Sequence, residues 1–193
     1  MIDILNRLNL NGFDRPGGTD KASDHSYAEL YDLILAPYRE RPINLLEIGI
    51  YQGGSLLMWQ HYFPDAVVSA IDIDPRGMHK TNARRLDYDR LRLYYGSAYT
   101  MQMVEVLMQS DEYDIIIDDG PHTLHSQVFA AYRYTPLLAP GGILVIEDVQ
   151  DVIHFDVLTN ALPEGERKRV TTYDMRHVRG RYDDLVWVYR EPE

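Results

Sequence analysis

The chain contains no cysteine. That excludes disulfides and thiolate metal centres, and it removes one covalent nucleophile from the choices open to an enzyme. Positive charge is also scarce, with 19 Lys and Arg against 30 Asp and Glu and a net charge of −11. Such a surface repels phosphate backbones, so nucleic acid is not an expected partner. No apolar run reaches the length of a membrane span, and there is no internal repeat or low-complexity segment. The opening MIDILNRLNL carries Asp3 and Arg7 and reads as a short amphipathic helix, not a signal peptide. A soluble, cytoplasmic protein without a membrane partner is the expectation. At 193 residues, 45% of them apolar, the chain is long enough for one domain with a substantial core.

Two parts are distinguishable along the sequence. Residues 1–41 read as a cap of helix and loop. NGFDRPGGTDKASD is a turn-rich loop, and Tyr27, Leu30, Tyr31, Ile34 and Leu35 then recur at helical spacing, with Ser23 or Asp24 as N-cap. From residue 42 to 193 a regular alternation takes over. Strands are predicted at 43–48, 67–72, 91–95, 113–118 and 143–148. Helices are predicted at 54–63, 75–86 (opened by Pro75), 100–109 and 122–138. Strands separated by helices imply right-handed crossovers and a parallel sheet covered on both faces. RKRVTTYDM and DLVWVYRE, joined around Gly180, are predicted as a terminal antiparallel hairpin. The fold class is therefore α/β: a mostly parallel seven-stranded sheet with a C-terminal antiparallel hairpin.

Ligands of open α/β sheets bind beyond the carboxyl ends of the strands. Here those ends are acidic: Glu47, then Asp72 and Asp74, then Asp118 and Asp119, then Glu147 and Asp148. Gly49, Gly53 and Gly54 make a turn where backbone can approach a ligand closely, and Asp72 stands where an acid holds ribose hydroxyls. Together they describe a nucleoside site. GIYQGG is not the G-x-G-x-x-G of a dinucleotide site, which disfavours an oxidoreductase on the same sheet. Asp119, Glu147 and Asp148 offer hard oxygen ligands suited to Mg²⁺ or Ca²⁺. Asp119 could instead cap the helix that follows it. His122 stands beside these acids as a candidate base, with His125 the nearest substitute.

Four stretches carry a family resemblance: GTDKASDHSYAELYD, LLEIGIYQGGSLLMW, AIDIDP, and IIIDDGPH paired with GGILVIED. The chain resembles class I S-adenosylmethionine-dependent methyltransferases with their single Rossmann-like domain. More narrowly, it is similar to the metal-dependent sugar O-methyltransferases of macrolide biosynthesis, of the mycinamicin and macrocin type. The resemblance implies Mg²⁺ or another divalent cation held by Asp119, Glu147 and Asp148, with His122 as general base. It implies S-adenosylmethionine contacted by Glu47, Gly49, Gly53, Ser55, Asp72, Ser97 and Asp118. Asp20, Lys21 and His25 to Tyr27 would close over that site, with Lys21 and Tyr27 on the donor. The implied reaction is methyl transfer to a hydroxyl of a sugar or related diol. Catechol-type O-methyltransferases and a non-catalytic nucleoside-binding module are the alternatives. Macrolide enzymes of this type carry further N-terminal or lid sequence, whereas this chain is close to the bare catalytic domain. A small hydroxylated acceptor is the expected partner, and association into a homo-oligomer is a further expectation.

Overall fold

The computed structural model describes residues 1–74, 76–110 and 112–193. Seven strands form one sheet: β1 (Asn44–Ile48), β2 (Val67–Asp72), β3 (Leu91–Tyr95), β4 (Tyr113–Asp118), β5 (Leu138–Ile146), β6 (Val170–Asp174) and β7 (Leu185–Arg190). Their spatial order is β3-β2-β1-β4-β5-β7-β6. The first five are parallel neighbours, and β7 runs antiparallel to both β5 and β6. The expected terminal hairpin is present, with β7 inserted between β5 and β6.

Why these segments are strands is plain from burial. The isoleucines 115, 116 and 117 are all inaccessible to solvent, because helices cover both faces of the central strands. One face packs Leu45, Ile115, Ile117 and Val145 against α1 (Ile2–Arg7), α2 (Tyr27–Ile34) and α3 (Gly54–Tyr62). On the other, Leu46, Ile116, Leu144 and Trp187 meet α5 (Met101–Leu107), α6 (Leu124–Arg133) and α7 (Ile153–Asn160). The segment before residue 42 therefore contributes Leu5, Leu10, Tyr31 and Leu35 to the same core as the sheet.

Several boundaries differ from expectation for identifiable reasons. The helix predicted at 75–86 is α4 (Arg76–Thr81), while Pro75 lies outside the described residues. The helix predicted at 122–138 ends at Arg133, and Pro136 then sits in a short 3-10 turn at Thr135–Leu137. β5 begins before Pro140-Gly141-Gly142, and its register with β4 shifts between Tyr113 and Ile115 to accommodate that turn. Helix α7 had no predicted counterpart. The predicted turn around Gly180 contains a four-residue helix, α8 (Arg176–Arg179), closed by Gly180 at φ +77°. Ser26 precedes α2 yet gives its side chain no capping role; its hydroxyl instead donates to Asp184 Oδ2 at 2.9 Å. No helix among the described residues is long and apolar enough to cross a membrane.

Candidate active site

Strand order reverses between β1 and β4, since the chain winds outward to β3 and returns to place β4 on the other side of β1. A crevice must open where two such strand ends diverge. A cleft of about 670 Å³ lies there, lined by residues from the ends of β1, β2, β3 and β4 and by Phe13, Gly18, Thr19 and Asp20 of the N-terminal loop. That is the size of a small-molecule site.

Gly49 is the residue that permits the narrow junction. Its φ is +98°, and a Cβ there would stand 2.0 Å from the carbonyl oxygen of Asp119. Glycine alone lets the two strand ends come this close. Gly54 serves the N-terminal loop in the same way: a Cβ would meet the Gly18 carbonyl oxygen at 2.3 Å. Asp72 shapes the loop between them. Its Oδ2 accepts the N–H groups of Ile50 (2.7 Å) and Tyr51 (3.1 Å), and its Oδ1 accepts that of Asp74. Ile73, 78% exposed, offers an apolar side chain to the same cleft.

Asp119 and His122 line the cleft, and the buried Asp148 comes together with them at its edge. His122 Nε2 is 3.8 Å from Asp119 Oδ1 and 3.5 Å from Asp148 Oδ2, and one ligand atom from each residue falls within a 4.8 Å group. The backbone is strained to achieve this: His122 (φ +53°) and Asp148 (φ +52°) both occupy the left-handed region, as does Tyr51 (φ +45°) at the glycine turn. Non-glycine residues are held there at a cost and cluster at functional sites. His122 lies outside α6, whose N-cap is Thr123, and His125 is exposed on the helix itself.

The other oxygen of each acid is already taken. Asp119 Oδ2 accepts from Lys21 Nζ at 2.7 Å. Asp148 Oδ1 accepts from the Tyr27 hydroxyl and lies 3.2 Å from His25 Nδ1. His25 is held in turn by Asp184 Oδ1 at 2.8 Å. Burial, together with Asp119, pushes the Asp148 carboxyl up to about 6, against the opposing influence of His25 and His122. Asp184 supports the site without any signal in the sequence that singles it out, and Tyr31, legible only as part of a helical stripe, turns out to donate to Glu147.

Glu147 does not join the group of Asp119, His122 and Asp148. It is fully buried, accepts from Lys21 Nζ at 2.5 Å and from the Tyr31 hydroxyl, and its carboxyl is raised by that burial. Glu47 is likewise inaccessible and accepts from Ser55 Oγ (2.8 Å) and Trp59 Nε1 (3.0 Å). Asp118 is buried behind Tyr99, whose hydroxyl donates to it; burial pushes its carboxyl up to about 7. Of the residues expected on the donor, Gly49, Ser55, Asp72 and Ser97 line the cleft. Glu47, Gly53, Asp118, Lys21 and Tyr27 stand behind its wall.

The profile described as a methyltransferase domain matches residues 46–149, which span the glycine turn, Asp72 and the whole Asp119–Asp148 group. The chain belongs to the methyltransferase-domain family. Its similarity extends to 8-demethyl-8-alpha-L-rhamnosyl tetracenomycin-C 2'-O-methyltransferase of Streptomyces olivaceus, 32% identical over 72% of this chain and 39% of that protein. Mycinamicin VI 2''-O-methyltransferase of Micromonospora griseorubida is 31% identical over 65% of this chain and 32% of its own length. This chain thus matches well under half the length of these curated relatives. Among solved structures, MycE from the mycinamycin pathway, in complex with Mg and SAH, superposes with a TM-score of 0.69 at 21% identity. That match covers 98% of this chain and 54% of MycE, and it establishes the Rossmann-like methyltransferase fold with its antiparallel β7 and β6.

Proposed function

We propose that this chain is a divalent-cation-dependent O-methyltransferase that uses S-adenosylmethionine and acts on a hydroxyl of a sugar or related diol-bearing small molecule, in the cytoplasm. The observation that carries the reading is the grouping of Asp148 with Asp119 and His122, the latter two lining a cleft formed by the glycine turn and Asp72. The named relatives support the acceptor class, since one methylates a rhamnosyl tetracenomycin and another mycinamicin VI.

The donor set fits a hard cation: one free carboxylate oxygen each from Asp119 and Asp148, beside an imidazole. When bound, such an ion supplies Lewis acidity that eases deprotonation of an alcohol. Asp119 and Asp148 would hold it. Asp72 has three backbone N–H partners and keeps acceptor capacity for a ribose hydroxyl, while Ile73 gives an adenine an apolar wall. His122 Nε2, with 31% of its side chain exposed, takes the acceptor proton as the hydroxyl oxygen attacks the donor methyl. Strand ends and the glycine turn fix the two substrates relative to each other, and positioning supplies much of the acceleration.

The test is formation of S-adenosylhomocysteine from S-adenosylmethionine and a rhamnosylated polyketide, with Mg²⁺ or with EDTA. Turnover in Mg²⁺ and its loss in EDTA are expected; full turnover in EDTA removes the metal. His122→Ala separates two roles for the imidazole. As a base, its loss lowers kcat by about 10²-fold or more while Mg²⁺ binding measured by calorimetry stays within a few-fold. Loss of Mg²⁺ binding would make His122 a ligand and place the base elsewhere.

A further inference from the structure

Lys21 has no exposed surface, and the reaction just described does not use it. Lysines are almost never fully buried unless paired. This one is paired three times over: its Nζ lies 2.7 Å from Asp119 Oδ2, 2.5 Å from Glu147 Oε2 and 3.9 Å from Glu47 Oε1. Those acids come from the ends of β4, β5 and β1, so one ammonium ties three strand ends together. Burial alone would drive its pKa down, but Asp119, Glu147, Glu47 and Asp20 hold it well above the ordinary lysine value.

The acidic site is thereby divided into two. Inside, Lys21 occupies the space between Glu47, Glu147 and one oxygen of Asp119. Outside, the second oxygen of Asp119 faces His122 together with Asp148 Oδ2, and no ion pair joins Lys21 to Asp148 among the described residues. Without a positive charge at the inner position, the carboxyl groups of Glu47, Glu147 and Asp119 would converge with no counter-ion in a dry setting, an arrangement of hard oxygens open to a divalent ion.

We propose that Lys21 is a built-in counter-ion that confines the site to a single divalent cation on the outer group, and that it tunes the affinity for that cation by charge. This rests on the metal-dependent reading above. Lys21 is a positioning residue, since it acts through Asp119 and Glu147 and does not line the cleft.

The experiment is calorimetric titration of Mg²⁺ into the full chain, freed of metal and without donor or acceptor, for wild type, Lys21→Met and Lys21→Arg. Urea melts in EDTA and in Mg²⁺ accompany it. Wild type should take one ion. Lys21→Met should bind Mg²⁺ at least tenfold more tightly or take a second ion, and its stability should gain more from Mg²⁺ than that of wild type. Lys21→Arg, which keeps the charge, should stay within about threefold of wild type. If Lys21→Met binds Mg²⁺ with the number and affinity of wild type, the inference fails while the metal reading stands. If no variant, wild type included, binds Mg²⁺, the metal reading itself falls and takes the inference with it. A Lys21→Met chain that is unfolded in EDTA but melts cooperatively in Mg²⁺ supports the proposal. One that stays unfolded in Mg²⁺ overturns it, because the ammonium would then be needed for packing that an ion cannot replace.

Discussion

At the scale of single residues, the most consequential feature is a set of carboxyl groups held out of water. Glu47 has no exposed surface, and burial, only partly offset by Lys21, pushes its carboxyl from 4.5 up to about 7. Below pH 4.5 the group is protonated whether the chain is folded or not. As pH climbs toward 7 the unfolded chain ionises it while the folded protein keeps the proton, so its contribution to stability drains away over that interval. Each pKa unit corresponds to about 1.4 kcal/mol, giving on the order of 3 kcal/mol for Glu47, and Asp118 works in the same direction. Glu47→Gln removes the titration while an amide can still serve Trp59 and Ser55. Urea unfolding in EDTA at pH 5, 6 and 7 should therefore show a shallower loss of stability with pH than wild type. An unchanged slope would mean that Glu47 is ionised in the folded protein. The sequence placed this acid at a strand end, but it could not reveal that the side chain turns inward to Ser55 and Trp59.

At the scale of elements, the junction of β1 with β4 decides the shape of the site. Gly49 joins a left-handed backbone to a contact that admits no Cβ, so Gly49→Ala has two separate penalties. Either the β1 end or the Asp119 backbone must move. The expected outcome is destabilisation of at least about 2 kcal/mol by urea unfolding, with S-adenosylhomocysteine binding lost in calorimetry. An alanine variant that melts and binds like wild type would show that the two strand ends are free to separate. The strands themselves were legible because buried parallel strands need continuous apolar runs, and 113–118 and 143–146 have them. Helix α7 was not. Only Leu158 is buried and Phe155 half-buried, while Ile153 and Val157 are exposed, which leaves no clean periodic stripe to read.

At the scale of the whole molecule, the division into a cap of residues 1–41 and a catalytic domain of 42–193 meets a shared core. The cap buries Leu5, Leu10, Tyr27, Leu30, Tyr31, Ile34 and Leu35. At roughly 1.5–3 kcal/mol for each large apolar side chain, this burial is as large as the whole 5–15 kcal/mol by which domains are ordinarily stable. The cap also supplies Lys21, His25, Tyr27 and Tyr31 to the acids of the site. Deleting residues 1–41 should leave a chain without near-UV circular dichroism or a cooperative melt. A truncated protein that folds cooperatively would make residue 42 a true domain boundary.

The amino-acid order by itself determined the alternation of strands and helices, the acidic strand ends and the glycine turn, because these depend on local periodicity and on chain geometry. It also placed Asp119, His122 and Asp148 at adjacent termini. Only the tertiary structure decided which acids face the cleft and which are neutralised behind it. Lys21 and Glu147 are far apart in the chain, and their pairing follows from the cap docking onto the sheet. Whether a buried carboxylate meets an ammonium or a cleft is settled by packing across that distance, which no local pattern encodes.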